Sequence, residues 1–294
     1  MVSIKKAIIP IAGLGTRFLP LSKVLPKELW PLVDKPVLQY ILEEVLKSGV
    51  KEVIFVARPE KKLILDYFQK RLTSEQISKA RYKTHFQKEI KNLEDLSKKL
   101  SFAKVIQKKP LGDGDALLQA GKLAGKENCA VLWSDDVVES KTPCLLQLMK
   151  VFQKYKKPVL ALCRVPKESF KFYGMAKVKK VAPRTYKILK IVEKPSAVGE
   201  SPSDLAIVGK YILTPEVFDW LKKSPKNKKG ELITGEVLAK AIESGEDVYG
   251  YEFEGKWLEC GNKLAYLKSN LYLSLKHFQF GKELKKFFAD TFII

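Results

Sequence analysis

The sequence predicts an α/β protein with a mixed, mostly parallel central sheet flanked by helices. Three observations lead there. Short apolar runs, each the length of one buried strand, alternate with stretches whose apolar residues recur three and four apart. The first run, residues 7–11, passes straight into Gly13-Leu14-Gly15, a turn in which backbone N–H groups approach a phosphate with no side chain in the way. Polar residues follow the ends of several runs, where sheets of this kind bind ligands.

After the glycine turn, Val37, Leu38, Ile41, Leu42, Val45 and Leu46 keep helical spacing until Gly49 ends the helix. Residues 53–57 read as the second strand and residues 63–71 as a helix. Residues 73–99 are polar, with Ile77, Phe86, Ile90, Leu93 and Leu96 near helical spacing, which predicts one or two surface helices. Residues 105–107 close a strand, and residues 111–116 form a loop that opens the next helix. Residues 130–133 are a third buried strand, ending at Ser134-Asp135-Asp136. Gly13, Gln107 and Asp135 are therefore each expected just past a strand's carboxyl end, at one edge of the sheet.

Further on, residues 159–163, 175–181, 187–192 and 205–213 read as strands, with Pro183-Arg184 near a turn. Residues 215–222 and 231–244 read as helices, and residues 265–288 as a helical tail. The polar stretches 199–203 and 222–229 are loops rather than domain boundaries. The expected organisation is one catalytic body, residues 1–264, and a C-terminal helical tail, residues 265–294.

At 294 residues the chain is long enough for one large core, and its 46% hydrophobic content is ordinary for a globular protein. No segment approaches the ~20 apolar residues of a membrane span. The first apolar run carries the glycine turn rather than a signal sequence, so the expectation is a cytoplasmic protein with no membrane partner. Four scattered cysteines without a C-x-x-C pair, and only two histidines, argue against a structural zinc site. The net charge of +21 comes mostly from lysine: only six residues are arginine. That composition suits a solvated surface that attracts phosphorylated substrates better than a reader of nucleic acid, so no nucleic-acid partner is expected. Trp133 and Trp257 are expected in the core, and Phe278, Phe280, Phe287 and Phe288 against the body or a partner subunit.

The glycine turn matches neither common nucleotide fingerprint. Phe18 stands where G-x-G-x-x-G needs its third glycine, and no Gly-Lys-Ser/Thr follows. Arg17 and Lys27 supply fixed positive charge for phosphate oxygens. With G-x-G-T-R-x-x-P at residues 13–20 and Pro26-Lys27-Glu28, the chain resembles the sugar-1-phosphate nucleotidyltransferases. Further stretches make it similar to the bacterial UTP–glucose-1-phosphate uridylyltransferase family over nearly its whole length. They are Pro20-Leu21-Ser22-Lys23, residues 32–36, Tyr173-Gly174, Val192-Glu193-Lys194-Pro195, residues 205–211 and Cys260-Gly261-Asn262-Lys263.

The resemblance implies a Rossmann-like nucleotide-diphospho-sugar transferase fold and a Mg2+-dependent exchange of UTP and glucose 1-phosphate for UDP-glucose and pyrophosphate. A phosphate oxygen of the sugar attacks the α-phosphorus, so alignment and charge neutralisation suffice and no general base is required. By the same resemblance Ala12, Gly13, Glu28, Gln107 and Gly112 line the uracil end. Gly13, Gly15, Thr16 and Arg17 cradle the triphosphate, and Lys27 faces the α-phosphate. Asp135 and Glu259 hold the metal, with Asp136 the weaker candidate. Gly174, Glu193 and Gly209 contact the glucose, and Lys194 binds its phosphate. A homodimer or homotetramer is the expected assembly.

Three positions depart from the family pattern: Glu259 for an aspartate, Asp115 for the histidine of G-x-G-H-A, and Ile233 where G-E-x-Q-L-T-D has its glutamine. Two alternatives stay open at this point: a thymidylyl- or cytidylyltransferase for a related hexose 1-phosphate, and a catalytically weak regulatory paralogue.

Overall fold

The computed structural model describes residues 4–70, 73, 76 and 83–292. A nine-stranded sheet runs through the molecule in the order β5-β4-β1-β6-β11-β8-β12-β10-β9. One half consists of β5 (Ser101–Ile106), β4 (Glu52–Ala57), β1 (Lys6–Pro10) and β6 (Cys129–Leu132), all mutually parallel. β1, β4 and β6 carry continuous apolar runs because both of their faces are covered.

The other half departs from the expected mostly parallel sheet. β11 (Leu205–Leu213) runs antiparallel to β6 and to β8 (Val159–Arg164). β10 (Thr185–Glu193) is antiparallel to β12 (Tyr249–Glu252) and to β9 (Gly174–Ala182). Only β8 and β12 are parallel there. A further pairing of Ala206 with Met175 brings β9 back to β11 and curls this half into a small barrel. The fold is therefore mixed α/β with one parallel and one mainly antiparallel half. The β9–β10 hairpin turns at residues 183–184, as its Pro-Arg predicts, and a hairpin connection forces antiparallel pairing.

Side chains alternate between two cores. Ala7 and Ile9 face α1 (Val37–Lys47), α2 (Lys62–Gln69), α3 (Lys83–Lys99) and α5 (Cys144–Tyr155). Ile8, Ile54 and Val131 face α4 (Asp113–Ala124), α6 (Pro215–Lys223) and α7 (Thr234–Glu243). In α1, Leu38, Ile41, Leu42 and Val45 form the buried stripe that the helical spacing predicts. Of the stretch expected over residues 73–99, Ile77 and the side chain of Phe86 lie outside the described residues, and residues 83–99 form one helix.

Several elements went unread in the sequence: α5, the short β2 (Pro31–Leu32) and β3 (Lys35–Pro36), β12, and a ribbon of β7 (Asp136–Glu139) with β13 (Lys256–Glu259). The ribbon matters most for the site, because it sets Asp136 opposite Glu259. The C-terminal helical stretch is two helices, α8 (Lys263–Lys276) and α9 (Gly281–Thr291). α8 is capped by Asn262 and tied to the body: Ser269 Oγ donates to the Glu259 carbonyl at 2.9 Å, and Tyr272 OH to Glu139 at 2.8 Å.

Candidate active site

The loops after β1, β5 and β6 leave the same edge of the sheet, because those strands are parallel. Gly13, Gln107 and Asp135 accordingly follow the carboxyl ends at Pro10, Ile106 and Leu132. Two clefts open at this edge. One, of about 430 Å3, is lined by Gly13, Gly15, Thr16, Lys27, Arg58 and Lys61 among others. The second, of about 420 Å3, is lined by Arg17, Gly112, Asp135, Gly174, Glu193, Lys194, Gly209 and Glu259 among others. Between them stands an ion pair, with Lys27 Nζ 2.5 Å from Asp135 Oδ2.

The electrostatics of that pair follow from its surroundings. Burial works against charge on both groups. Lys27 nevertheless keeps its proton more firmly than usual, because Asp135 and Glu28 lie beside it. The half-buried Asp135 carboxyl is held below the ordinary range by Lys27 and, more weakly, by Arg17.

Glu28 is 1% exposed, and both of its oxygens accept from Lys61 Nζ at 2.8 Å. Its carboxylate therefore fixes Lys61 in the wall of the first cleft. Burial pulls the Lys61 pKa down against the raising effect of Glu28. The sequence reading missed Lys61 and Arg58, although a usable signal existed: both follow the carboxyl end of β4, the fourth strand pointing at this edge.

Gly15 enters the turn at Thr16–Phe18 with φ +64°, and Gly112 opens α4 with φ +100°. A side chain at Gly112 would also run into the Leu232 backbone, so glycine is required there twice over. Gln107 Nε2 donates to the Gly112 carbonyl at 3.0 Å and to Asp115 Oδ2 at 2.7 Å.

In the second cleft, β11 shifts register against β8 between Val208 and Tyr211. This bulge is the local device that aims Gly209 at the site. Gly209 N donates to Asp136 Oδ2 at 3.1 Å, while Asp136 Oδ1 accepts from Trp257 Nε1 at 2.8 Å. Both oxygens of Asp136 are thus occupied, and burial together with the neighbouring Asp135 pushes its pKa up to about 7. Trp133 and Trp257, expected in the core, are half-buried: each packs against a core cluster and also lines this cleft, where the β7–β13 ribbon sets Trp257 over Asp136.

Glu193 and Lys194 lie 3.5 Å apart at the end of β10, and Lys194 takes a left-handed backbone (φ +47°), unusual for a side-chain-bearing residue. The Glu193 carboxylate closely approaches Gly174 and Gly235: a Cβ on either would lie 2.9 or 2.6 Å from Oε2. Burial raises its pKa. Asp113, also unread, lines the cleft; its Oδ1 accepts from Thr234 N at 3.2 Å, and burial raises its pKa.

Asp135 and Glu259 face one another beside Gly261. A point one bond from the Gly261 Cα lies 3.0 Å from Asp135 Oδ2 and 3.4 Å from Glu259 Oε1. Glu259 Oε2 accepts from Tyr173 OH at 2.5 Å and Oε1 from Asn262 Nδ2 at 3.1 Å. Among the described residues no group of three or more His, Cys, Asp or Glu is arranged to hold a metal. Two carboxylates completed by substrate phosphates do fit Mg2+, which favours one or two carboxylates plus phosphate oxygens. Arg17 Nη1 donates to the Gly261 carbonyl at 3.3 Å, which brings the glycine-turn arginine to the same point.

A strand-end glycine turn, a half-buried Lys–Asp pair and two adjoining clefts thus meet at one sheet edge. The nucleotidyl transferase family model matches residues 6–274, and the chain belongs to that family. The UTP–glucose-1-phosphate uridylyltransferase of Staphylococcus epidermidis is 37% identical over 287 residues, covering 98% of both chains. A UDP-glucose pyrophosphorylase solved with UDP-glucose superposes with a TM-score of 0.85 at 32% identity, over 94% of this chain and all of that one. The UTP-bound UGPase of Acinetobacter baumannii gives 0.83 at 30% identity, over 98% of this chain and 100% of its own.

Proposed function

We propose that the protein transfers a uridylyl group from UTP to glucose 1-phosphate, releasing pyrophosphate. The observation that carries this reading is the Lys27–Asp135 pair set between two clefts, one rich in backbone N–H and cations, the other in carboxylates and glycines. Its likeness to the uridylyltransferases over nearly its whole length sets the substrates.

In this reading the nucleotide lies along the first cleft and reaches Arg17 and Gly112 in the wall of the second. Gly13, Gly15 and Thr16 offer backbone N–H groups to the triphosphate, and Arg17 neutralises the leaving phosphates. Ala12, Gln107 and Gly112 meet the base, while Glu28 acts through Lys61. Lys27 sits against the α-phosphate. Glu193 accepts hydroxyls of the glucose between Gly174 and Gly209, and Lys194 steers the sugar phosphate. A sugar-phosphate oxygen forms the new bond to the α-phosphorus as the bond to the β-phosphate oxygen breaks in line. A sugar phosphate is already ionised near neutral pH, so no base is needed. Asp135 and Glu259 would hold Mg2+, which supplies charge neutralisation at the phosphates when bound.

The body, residues 1–264, carries all of these groups. The tail presents Leu267, Leu271, Phe280, Phe287 and Phe292 to the outside, and apolar surface of that kind suits association of copies into a homodimer or homotetramer. The four free cysteines fit a reducing, cytoplasmic compartment, and no helix of the described residues is long and apolar enough to cross a membrane.

The test is pyrophosphate release from glucose 1-phosphate with Mg2+, comparing UTP, dTTP, CTP, ATP and GTP. Preferred turnover of UTP, abolished by EDTA, is the expected result. No release with any nucleotide from folded protein refutes the reading.

A further inference from the structure

Asp115 departs from the family's histidine, and its contacts give it a task. Gln107 is 6% exposed, and its Nε2 is bound on two sides, by the Gly112 carbonyl at 3.0 Å and by Asp115 Oδ2 at 2.7 Å. Carbonyl and carboxylate oxygens only accept, so the amide has one permitted orientation. Turning it over would set Oε1 against two acceptors and forfeit both bonds. Asp115 is in turn braced by Gln119 Nε2 at 3.4 Å, one helical turn further along α4. The Gly112 carbonyl is fixed too: it accepts from Ala116 N at 3.3 Å, and the residues on either side are tied to Leu232, whose N donates to the Leu111 carbonyl and whose carbonyl accepts from Gly114 N. Gln107 Oε1 accepts from no described group, and it is not among the buried atoms left without a partner.

We propose that Asp115 is a positioning residue for nucleotide specificity: it locks the Gln107 amide so that Oε1 is the atom offered to the base. An acceptor there selects a pyrimidine carrying N3–H, such as uracil, against cytosine, whose N3 is itself an acceptor. A histidine, which donates or accepts according to its tautomer, imposes no such single orientation. The inference rests on the proposed reading of this sheet edge, after β1 and β5, as the nucleotide site.

The experiment compares kcat/KM for UTP and CTP, with Mg2+ and glucose 1-phosphate, in the wild-type chain and in Asp115→Asn, Asp115→Leu, Asp115→Glu and Gln107→Ala. Asn can turn either face to Gln107, and Leu can hold neither. Both should lower the UTP-to-CTP ratio at least fivefold, chiefly through KM for UTP, while Asp115→Glu keeps most of it. A merely structural role would weaken both nucleotides alike and leave the ratio unchanged. A ratio within twofold of wild type in both Asn and Leu variants overturns the inference. So does an unchanged ratio in Gln107→Ala, which would leave the uridylyl reading standing. Absence of UTP turnover in the wild type overturns that reading and this inference with it.

Discussion

In β5, β4, β1 and β6 every strand runs the same way, and each carboxyl end delivers its loop to one edge. In β11, β8, β12, β10 and β9 most neighbours run opposite ways, and the side chains of the second cleft arrive from segments far apart in sequence. The parallel half thus places functional groups by chain continuity, a residue or a few after a strand. The curled half places them by packing. Gly209 is fixed by Asp136, Asp136 by Trp257, and Glu193 lies between Gly174 and Gly235. Substitutions on the first side should therefore damage chemistry, and on the second side stability and sugar binding together.

The sharpest test of the first half is Asp135→Asn. It keeps the shape but removes the charge opposite Lys27 and the carboxylate assigned to the metal. Steady-state kinetics should show kcat reduced about 1,000-fold, in the range seen when one preorganised charge-stabilising group is lost. A kcat within tenfold of wild type would detach Asp135 from the reaction.

Asp136 tests the packing half one residue away. Its folded pKa is raised to about 7 by burial and by Asp135, whereas an unfolded aspartate titrates near ~3.9. Between those values the native state holds a proton that the unfolded chain has released. Wild-type stability from this group therefore declines as pH rises from about 4 to about 7. Asp136→Asn has no proton to lose, so its stability relative to wild type should climb across that window and level off above it, by on the order of a few kcal/mol. Denaturant unfolding in EDTA at pH 5 and pH 8 reads this directly, and a flat difference rejects it.

Gly209→Ala should cost about 1–3 kcal/mol, since the new methyl meets Asp136 Oδ2 and, at 2.8 Å, the Trp133 Cβ. Unchanged stability would mean that the bulge is loose rather than packed. Glu193→Gln should raise KM for glucose 1-phosphate roughly tenfold, because a hydrogen bond to a charged group is worth about 1.5–3 kcal/mol. KM for UTP should stay within twofold; an equal rise in both would merge the two clefts into one functional unit.

The same contrast explains what the sequence disclosed. Gly13, Gln107 and Asp135 were legible because each follows an apolar run whose end can be read locally. Arg58 and Lys61 obey the same rule after β4 and were overlooked, although the rule was sufficient. β5 was legible only at its end: as an edge strand, its Ser101 and Lys104 are exposed and break the apolar run. Of the curled half, every strand but β12 was read, and not the barrel, because antiparallel partners β12 and β10 lie far apart in the chain and nothing local states their pairing. β7 and β13 are four residues each. Their pairing sets Trp257, which still packs against the core, in the cleft wall as well, a consequence of tertiary contact that residue type alone does not announce.

The junction of the two halves gives the smallest expected effect. Glu259 reaches the Asp135 side of the site from the β7–β13 ribbon, with Tyr173 OH on one oxygen and Asn262 on the other. The family's aspartate is one methylene shorter. In Glu259→Asp the carboxylate should withdraw from the tyrosine while retaining its charge, so kcat should change less than tenfold and the Mg2+ concentration for half-maximal rate should rise several-fold. The burial and the Glu259 contact that now hold the Tyr173 hydroxyl above its ordinary pKa would then lose the second contribution. Unaltered Mg2+ dependence would show that the tyrosine, not the carboxylate length, sets this corner of the site.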